Sequence, residues 1–190
     1  MDAFEAEQLM VAVRGGELDK LGTLFEQYHA HLIGFFRKSG YALPVSEDLA
    51  QETFWRVMKY RSSYDSQRSF RAWLFKIARN AMYDESRKSS RRGELIHSAM
   101  ESGVVQLSVE GRQVSAAIEG EERKLLLQSA LSRLPAEKRD LIVMCRFEEL
   151  PQVEVAEVFG CSVGALKVRL FRALQDLKKE FVEIGGEAAL

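Results

Sequence analysis

Cysteine is nearly missing from this chain of 190 residues: there are two, Cys145 and Cys161. That number argues against a disulfide framework. Both lie in apolar helical stretches, where a cysteine acts as a small buried hydrophobe in a reducing compartment. Proline is scarce as well, at three residues, which favours a helical protein over a sandwich or barrel. No apolar run approaches the length that spans a bilayer, and the first ten residues, MDAFEAEQLM, are acidic where a secretion signal is basic. A cytoplasmic protein is therefore expected. His29, His31 and His97 have no cysteine or carboxylate partners at metal-ligand spacing. There is no phosphate-cradling glycine loop, no nucleophile–base set, no strand alternation and no internal repeat. These absences predict no catalytic centre, no cofactor and no metal, and they weigh against a small helical enzyme.

What is present is charge, unevenly spread. The formal net charge is −1, yet residues 1–58 carry −4, residues 59–92 carry +7, residues 93–122 carry −5, and Cys161–Lys179 alone carries +4. Two basic patches separated by an acidic connector suit two nucleic-acid contacts, or one extended contact.

The hydrophobic period is helical throughout. A first helix is expected over Ala3 to Arg14, stopped by Gly15 and Gly16, and a second from Leu18 to about Lys38, broken by Ser39, Gly40 and Pro44. Ser46 reads as the N-cap of a third helix running to Tyr60, with Glu47 and Asp48 favourable at its positive end. A polar loop, 61–69, precedes a helix from Phe70 to about Arg87, with Ser69 as its cap. Residues 88–120 lose the pattern and read as a linker. A second domain is expected from Glu121, with one helix ending at Pro135 and another from Glu137 to Glu148. The fold class is all-α: two small helical domains, 1–92 and 121–184, joined by a flexible acidic linker over 93–120, with a frayed tail over 185–190.

The most informative stretch is LPQVEVAEVFGCSVGALKVRLFRALQDLKK, Leu150 to Lys179. Pro151 suits a helix start, Gly160-Cys161-Ser162 a tight turn, and Ser162 an N-cap. Leu166, Leu170, Leu174 and Leu177 form one buried stripe, with Lys167, Arg169 and Arg172 off it. A short helix, a turn and a basic second helix make a helix-turn-helix over 152–171. The same pattern also describes an ordinary helical hairpin, so the motif needs its context.

Two further constellations supply context. In 60–92, aromatics (Tyr60, Tyr64, Phe70, Trp73, Phe75, Tyr83) interleave with cations (Arg61, Arg68, Arg71, Lys76, Arg79, Arg87, Lys88), as single-stranded DNA binding requires; Phe70, Trp73 and Phe75 equally suit a core. In DLAQETFW, Asp48, Gln51, Glu52 and Trp55 share helical spacing, a polar face ending in a large aromatic that fits a protein–protein hot spot, or else an ordinary solvated face. A free-standing helix-turn-helix regulator acting as a dimer would use 150–179 and leave these two stretches without work.

SEDLAQETFWRVM, then SFRAWLFKIARNAMYDESRK, then the stretch from Leu134 through Lys179, in this order and spacing, resemble the extracytoplasmic-function (ECF) sigma factors of bacterial RNA polymerase. The resemblance implies that 45–58, with Asp48, Gln51, Glu52, Phe54 and Trp55, binds the clamp helices of the polymerase β′ subunit. It implies that 60–92 recognises and melts the −10 element, through Tyr64, Asp65, Arg68, Arg71, Lys76, Arg79, Asn80 and Tyr83. It implies that the second domain touches the β flap and sets Val163, Gly164, Ala165, Lys167, Val168, Arg169, Phe171 and Arg172 against the −35 element. The expected partners are core RNA polymerase, promoter DNA and an anti-sigma factor. The chain departs from the family pattern at four positions: Glu149 stands where glycine is usual, Pro151 where serine or threonine is, Ala165 where threonine is, and Val168 where serine is. The last two remove hydroxyls from the DNA-facing helix, so the −35 sequence read here need not be the common one.

Overall fold

A computed structural model describes the backbone of residues 3–91 and 114–185, with side chains described over 4–89 and 123–185. All regular structure among the described residues is helical. The first domain holds α1 (Ala3–Gly15), α2 (Lys20–Lys38), α3 (Leu43–Tyr60) and α4 (Phe70–Arg91), with one 3₁₀ turn (Arg61–Ser63) between α3 and α4. The second holds α5 (Val114–Arg133), α6 (Ala136–Ile142), α7 (Gln152–Phe159) and α8 (Val163–Glu183).

Helix ends follow local chemistry, with three corrections. Ser46 is not an N-cap. The helix begins four residues earlier, at Leu43 behind an extended Ala42, and Pro44 lies in its first turn rather than breaking α2. Proline is at home there because its missing N–H would be unpaired in any case. Ser46 is buried inside α3, its hydroxyl donating to the Ala42 carbonyl at 2.9 Å. In the second correction, α4 continues past Arg87 to Arg91. In the third, α5 starts at Val114, seven residues before the expected boundary at 121, so the described part of the linker is helical. The rest of the linker reading, 93–113, and the tail 186–190 lie outside the described residues. Ser69 caps α4 as expected, accepting from the Ala72 N–H at 3.3 Å.

Both domains contribute to one continuous cluster of buried apolar side chains. In the first, Leu24, Leu32, Phe35 and Phe36 of α2 meet Val57 of α3 and Leu74 and Phe75 of α4, all fully buried. Phe35 and Phe75 meet edge to face at 5.4 Å. In the second, Leu141 and Ile142 of α6, Val155 of α7 and Leu166, Leu170, Leu177 and Phe181 of α8 form the core. Each such side chain contributes ~1.5–3 kcal/mol relative to exposure, which holds the helices against one another. Leu174, the remaining member of the α8 stripe, is half-buried.

Between α6 and α7 the backbone widens. Val143–Phe147 winds as a π turn, after which Glu148 N–H returns to the Val143 carbonyl at 3.0 Å. The wider turn brings Glu148, a buried acid, to the seam where the second domain meets the first.

Candidate nucleic-acid interface

The helix-turn-helix is α7 and α8. Gly160 ends α7 at φ +61°, a left-handed conformation that glycine adopts at no steric cost, and the Cys161 N–H returns to the Ala156 carbonyl at 3.0 Å. Ser162 then caps α8, its Oγ accepting from the Ala165 N–H at 3.2 Å. Pro151 is the residue before α7 rather than its first helical residue. With Leu166, Leu170 and Ala173 buried, the opposite face of α8 is solvent-facing: Gly164, Ala165, Lys167, Val168, Arg169, Phe171 and Arg172 are exposed, and Val163 is half-buried. Val168 and Phe171 are 51% and 63% exposed, large apolar groups on an otherwise cationic face. Arg169 lies 3.5 Å from Glu137, while Lys167 and Arg172 have no ion-pair partner among the described residues. This face can neutralise phosphates with its cations, while Val168 and Phe171 can meet apolar base edges such as the thymine methyl.

The aromatic and basic stretch divides between core and surface. Phe70 and Phe75 are buried, as the core reading expects, and Trp73 is half-buried against Tyr64 at 5.3 Å. Tyr64 itself is 1% exposed. Its hydroxyl donates to the Arg68 carbonyl at 2.9 Å, and its own carbonyl accepts from Arg14 Nη1 at 3.0 Å. Burial pushes its hydroxyl pKa up to about 12. In this conformation Tyr64 is a core residue that shapes the 61–69 loop and offers no ring to an incoming base. Asp65 and Arg68 are exposed and pair with each other at 3.4 Å, while Lys76 and Asn80 are exposed on α4.

Asn80 and Tyr83 line a cleft of about 480 Å³ between α3 and α4, together with Arg56, Tyr60 and Arg87. Arg56 fixes the cleft's floor: Nε meets Glu52 at 2.7 Å and Nη1 meets Asp84 at 2.8 Å, tying α3 to α4. Sequence reasoning passed over Arg56, whose signal was its i, i+4 spacing from Glu52. Arg71, Arg79 and Tyr83 are half-buried because their outer ends reach the second domain. Arg71 donates to the Glu148 carbonyl; Arg79 Nε is 3.7 Å from the Asp140 carboxylate; the Tyr83 hydroxyl donates to Asp140 at 3.3 Å. Burial raises the Asp140 pKa to about 6, with Arg79, Arg139 and the Tyr83 hydroxyl pulling the other way.

On α3, Asp48, Gln51 and Trp55 form an exposed face, with Glu52 half-exposed. Trp55 is 50% exposed and the Lys59 ammonium stands 4.9 Å from its ring centroid. A half-exposed tryptophan beside charges has the composition of a protein-binding anchor. Phe54 departs from the expectation: at 5% exposure, edge to face with Phe25 at 5.1 Å, it holds α3 to α2 and is not available to a partner.

Cys145 and Cys161 are free and half-buried, and burial raises the Cys145 thiol pKa. No cluster of three His, Cys, Asp or Glu side chains suited to a metal occurs among the described residues. Among them no helix is long and apolar enough to cross a membrane.

Comparison with known proteins is consistent in both halves. Residues 24–92 match the family Sigma-70 region 2, and residues 124–177 match Sigma-70, region 4. The chain is 31% identical over 183 residues to the ECF RNA polymerase sigma factor SigL of Mycobacterium tuberculosis, spanning 93% of this chain and 98% of that one. It is 26% identical over 178 residues to the ECF RNA polymerase sigma factor SigW of Bacillus subtilis, spanning 90% and 94%. Among solved structures it resembles CnrH, in complex with the cytosolic domain of CnrY, with a TM-score of 0.69 and 26% identity over 97% of this chain and 100% of that one. The sigma factor RpoE of Bartonella quintana, in complex with the anti-sigma factor NepR, shares the fold at a TM-score of 0.65 and 24% identity, covering 86% and 97%.

Proposed function

We propose a division of labour that proceeds from one premise: the chain belongs to the ECF sigma factors of bacterial RNA polymerase, proteins that direct promoter-specific transcription initiation. Asp48, Gln51 and Trp55 on α3 dock on the clamp helices of the β′ subunit. The 61–69 loop and the outer face of α4, with Asp65, Arg68, Lys76 and Asn80 exposed and Arg71, Arg79 and Tyr83 beside them, take the −10 element. The second domain rests on the β flap and lays α8 in the major groove of the −35 element.

The observation that carries this reading is the bare face of α8. A serine-capped helix leaves a left-handed turn and exposes Lys167, Val168, Phe171 and Arg172 together, with its leucines turned inward. Lys167 and Arg169 hold phosphates, which fixes register without reading sequence. Arg172, unpaired within the described residues, can grip a guanine edge with two donors. Opening the −10 region costs a few kcal/mol per unstacked step, offset when a base leaves the stack for a protein pocket. The cleft edged by Asn80, Tyr83 and Arg87 has the cations and flat groups for that strand.

The work is binding and positioning, with no catalytic centre of its own, and its place is the cytoplasm beside polymerase. An anti-sigma factor is the partner expected to hold it inactive. A free-standing regulator would ignore polymerase, so co-purification separates the two. The tagged chain should retain core polymerase. Asp48→Ala with Gln51→Ala should weaken that retention while leaving −35 duplex binding by the full chain unchanged. Failure to retain core, with duplex binding intact, would favour the regulator.

A further inference from the structure

The 61–69 loop stands on a residue that a DNA strand does not reach. Residues 65–68 are exposed in a row, while Tyr64 beneath them is 1% exposed. The Tyr64 ring packs on Phe70 and Trp73, at 6.1 and 5.3 Å between centroids. Its N–H returns to the Arg61 carbonyl at 3.2 Å, and its hydroxyl donates across the loop to the Arg68 carbonyl at 2.9 Å. Those partners all belong to the loop or to α4. The Tyr64 carbonyl is different: it accepts from Arg14 Nη1 at 3.0 Å, a residue 50 positions earlier in the chain.

Arg14 is placed for this by its own helix. Ala6, Met10 and Val13 are 1%, 0% and 0% exposed, which seats α1 on α2, α4 and the 3₁₀ turn. The helix then ends in two returning bonds, from the Gly16 N–H to the Val13 carbonyl at 3.1 Å and from the Glu17 N–H to the Ala12 carbonyl at 3.0 Å. Arg14 lies in that last turn, where the helix dipole favours a cation. The guanidinium therefore starts from a fixed backbone and ends on a loop carbonyl, in a charge-assisted bond stronger than a neutral one. None of α1 falls within residues 24–92, the part that matches region 2, and no residue of α1 was among the expected −10 contacts.

We infer that Arg14 is a positioning residue for promoter opening: from α1 it locks the loop backbone at Tyr64, so that Asp65 to Arg68 are already set when the −10 strand arrives. This rests on the reading of the loop as part of the −10 surface. A loop that orders only on binding loses affinity by the entropy of that ordering, and a loop ordered beforehand does not. The outer half of the loop is a tight turn of its own. The Gln67 N–H donates to Asp65 Oδ1 at 3.0 Å, and the Arg68 N–H to the Asp65 carbonyl at 3.0 Å. Arg14 fixes where that turn stands relative to α4.

The test compares the wild-type chain with Arg14→Met, which keeps the apolar stem and removes the donor, and with Arg14→Lys, which keeps a charged donor. Hydrogen–deuterium exchange of the free chain reads order in 61–69. With core polymerase on a genomic fragment that yields a run-off transcript, permanganate-reactive thymines read opening. Arg14→Met should speed exchange across 61–69 and lower the opening equilibrium about tenfold, as for one lost hydrogen bond to a charged group. Retention of core and −35 duplex binding should be unchanged, and Arg14→Lys should restore exchange and opening together. Unchanged exchange would overturn the lock, and faster exchange with unchanged opening would overturn the positioning role. A fall in opening, core retention and duplex binding together would mark a merely structural residue and overturn it as well. Should Arg14→Met fail to fold, Arg14→Gln, a donor without the charge, takes its place with the same outcomes. An Asp65→Ala/Arg68→Ala variant keeps the two failures apart: normal opening by it would remove the loop from the −10 surface, whatever Arg14 does to exchange.

Discussion

Glu149 sits at φ +51°, the one described non-glycine residue at positive φ, on the turn that delivers Glu148 to the seam. A side chain there crowds its own carbonyl at a cost of ~1–2 kcal/mol that glycine does not bear. Glu149→Gly should therefore raise stability by about 1 kcal/mol, read as a higher denaturant midpoint at unchanged slope. Asp140, on the same side of the seam, sets a pH dependence. Asp140 faces Arg79 and Tyr83 from α4, Arg139 and Glu137 from its own helix, and Tyr41 from the α2–α3 turn. Its folded pKa, about 6, lies above the unfolded value of 3.8, so the folded state binds the extra proton. The stabilisation it gives is complete below the unfolded value and is lost as pH rises through about 6. The stability of the wild type relative to Asp140→Asn should accordingly fall by about 2–3 kcal/mol between pH 4 and pH 7. A flat difference across that window would mean that Asp140 titrates normally.

At the scale of elements, α8 is the clearest case of sequence dictating structure and surface together. Ser162, Gly160 and the leucine spacing each specify one feature of the helix-turn-helix, and each is found in place. Ser162→Ala should cost about 1 kcal/mol of stability through the lost cap. Arg172→Ala should cost about 1–3 kcal/mol in −35 duplex binding and relax preference at a single base pair, measured by competition among duplex variants. Lys167→Ala should instead weaken all sequences alike and lower the salt slope. The start of α3 was less legible. Ser46 and Pro44 each have two helix-boundary meanings, and the choice between them was made by Ala42 and by the space that buries Ser46 rather than by local propensity. For Tyr64 and Phe54 the resemblance implies contact with partners, but packing of Tyr64 against Phe70 and Trp73 and of Phe54 against Phe25 turns both rings inward, and no local spacing rule decides that.

For the whole molecule, the order of two basic elements around an acidic connector is legible in the charge pattern, and the all-α class in the helical hydrophobic period. The seam between the domains was not. It depends on the π turn at 143–147 and on contacts separated by 57 residues or more, for which no local spacing rule exists. One trace was present: Asp140 lies four residues before the buried Met144, an acid on the inward face of α6. Buried acids of that kind need a cation from elsewhere, and here Arg79 supplies it.

Run-off transcription on genomic fragments with purified core polymerase tests the central claim most directly, that this one chain both anchors and opens a promoter. Discrete transcripts should arise only when chain and core are both present, should lose their promoter preference with Arg172→Ala, and should disappear with Asp48→Ala/Gln51→Ala. Tight binding to promoter duplex, with no promoter-specific transcript on any fragment in the presence of core, would contradict the account.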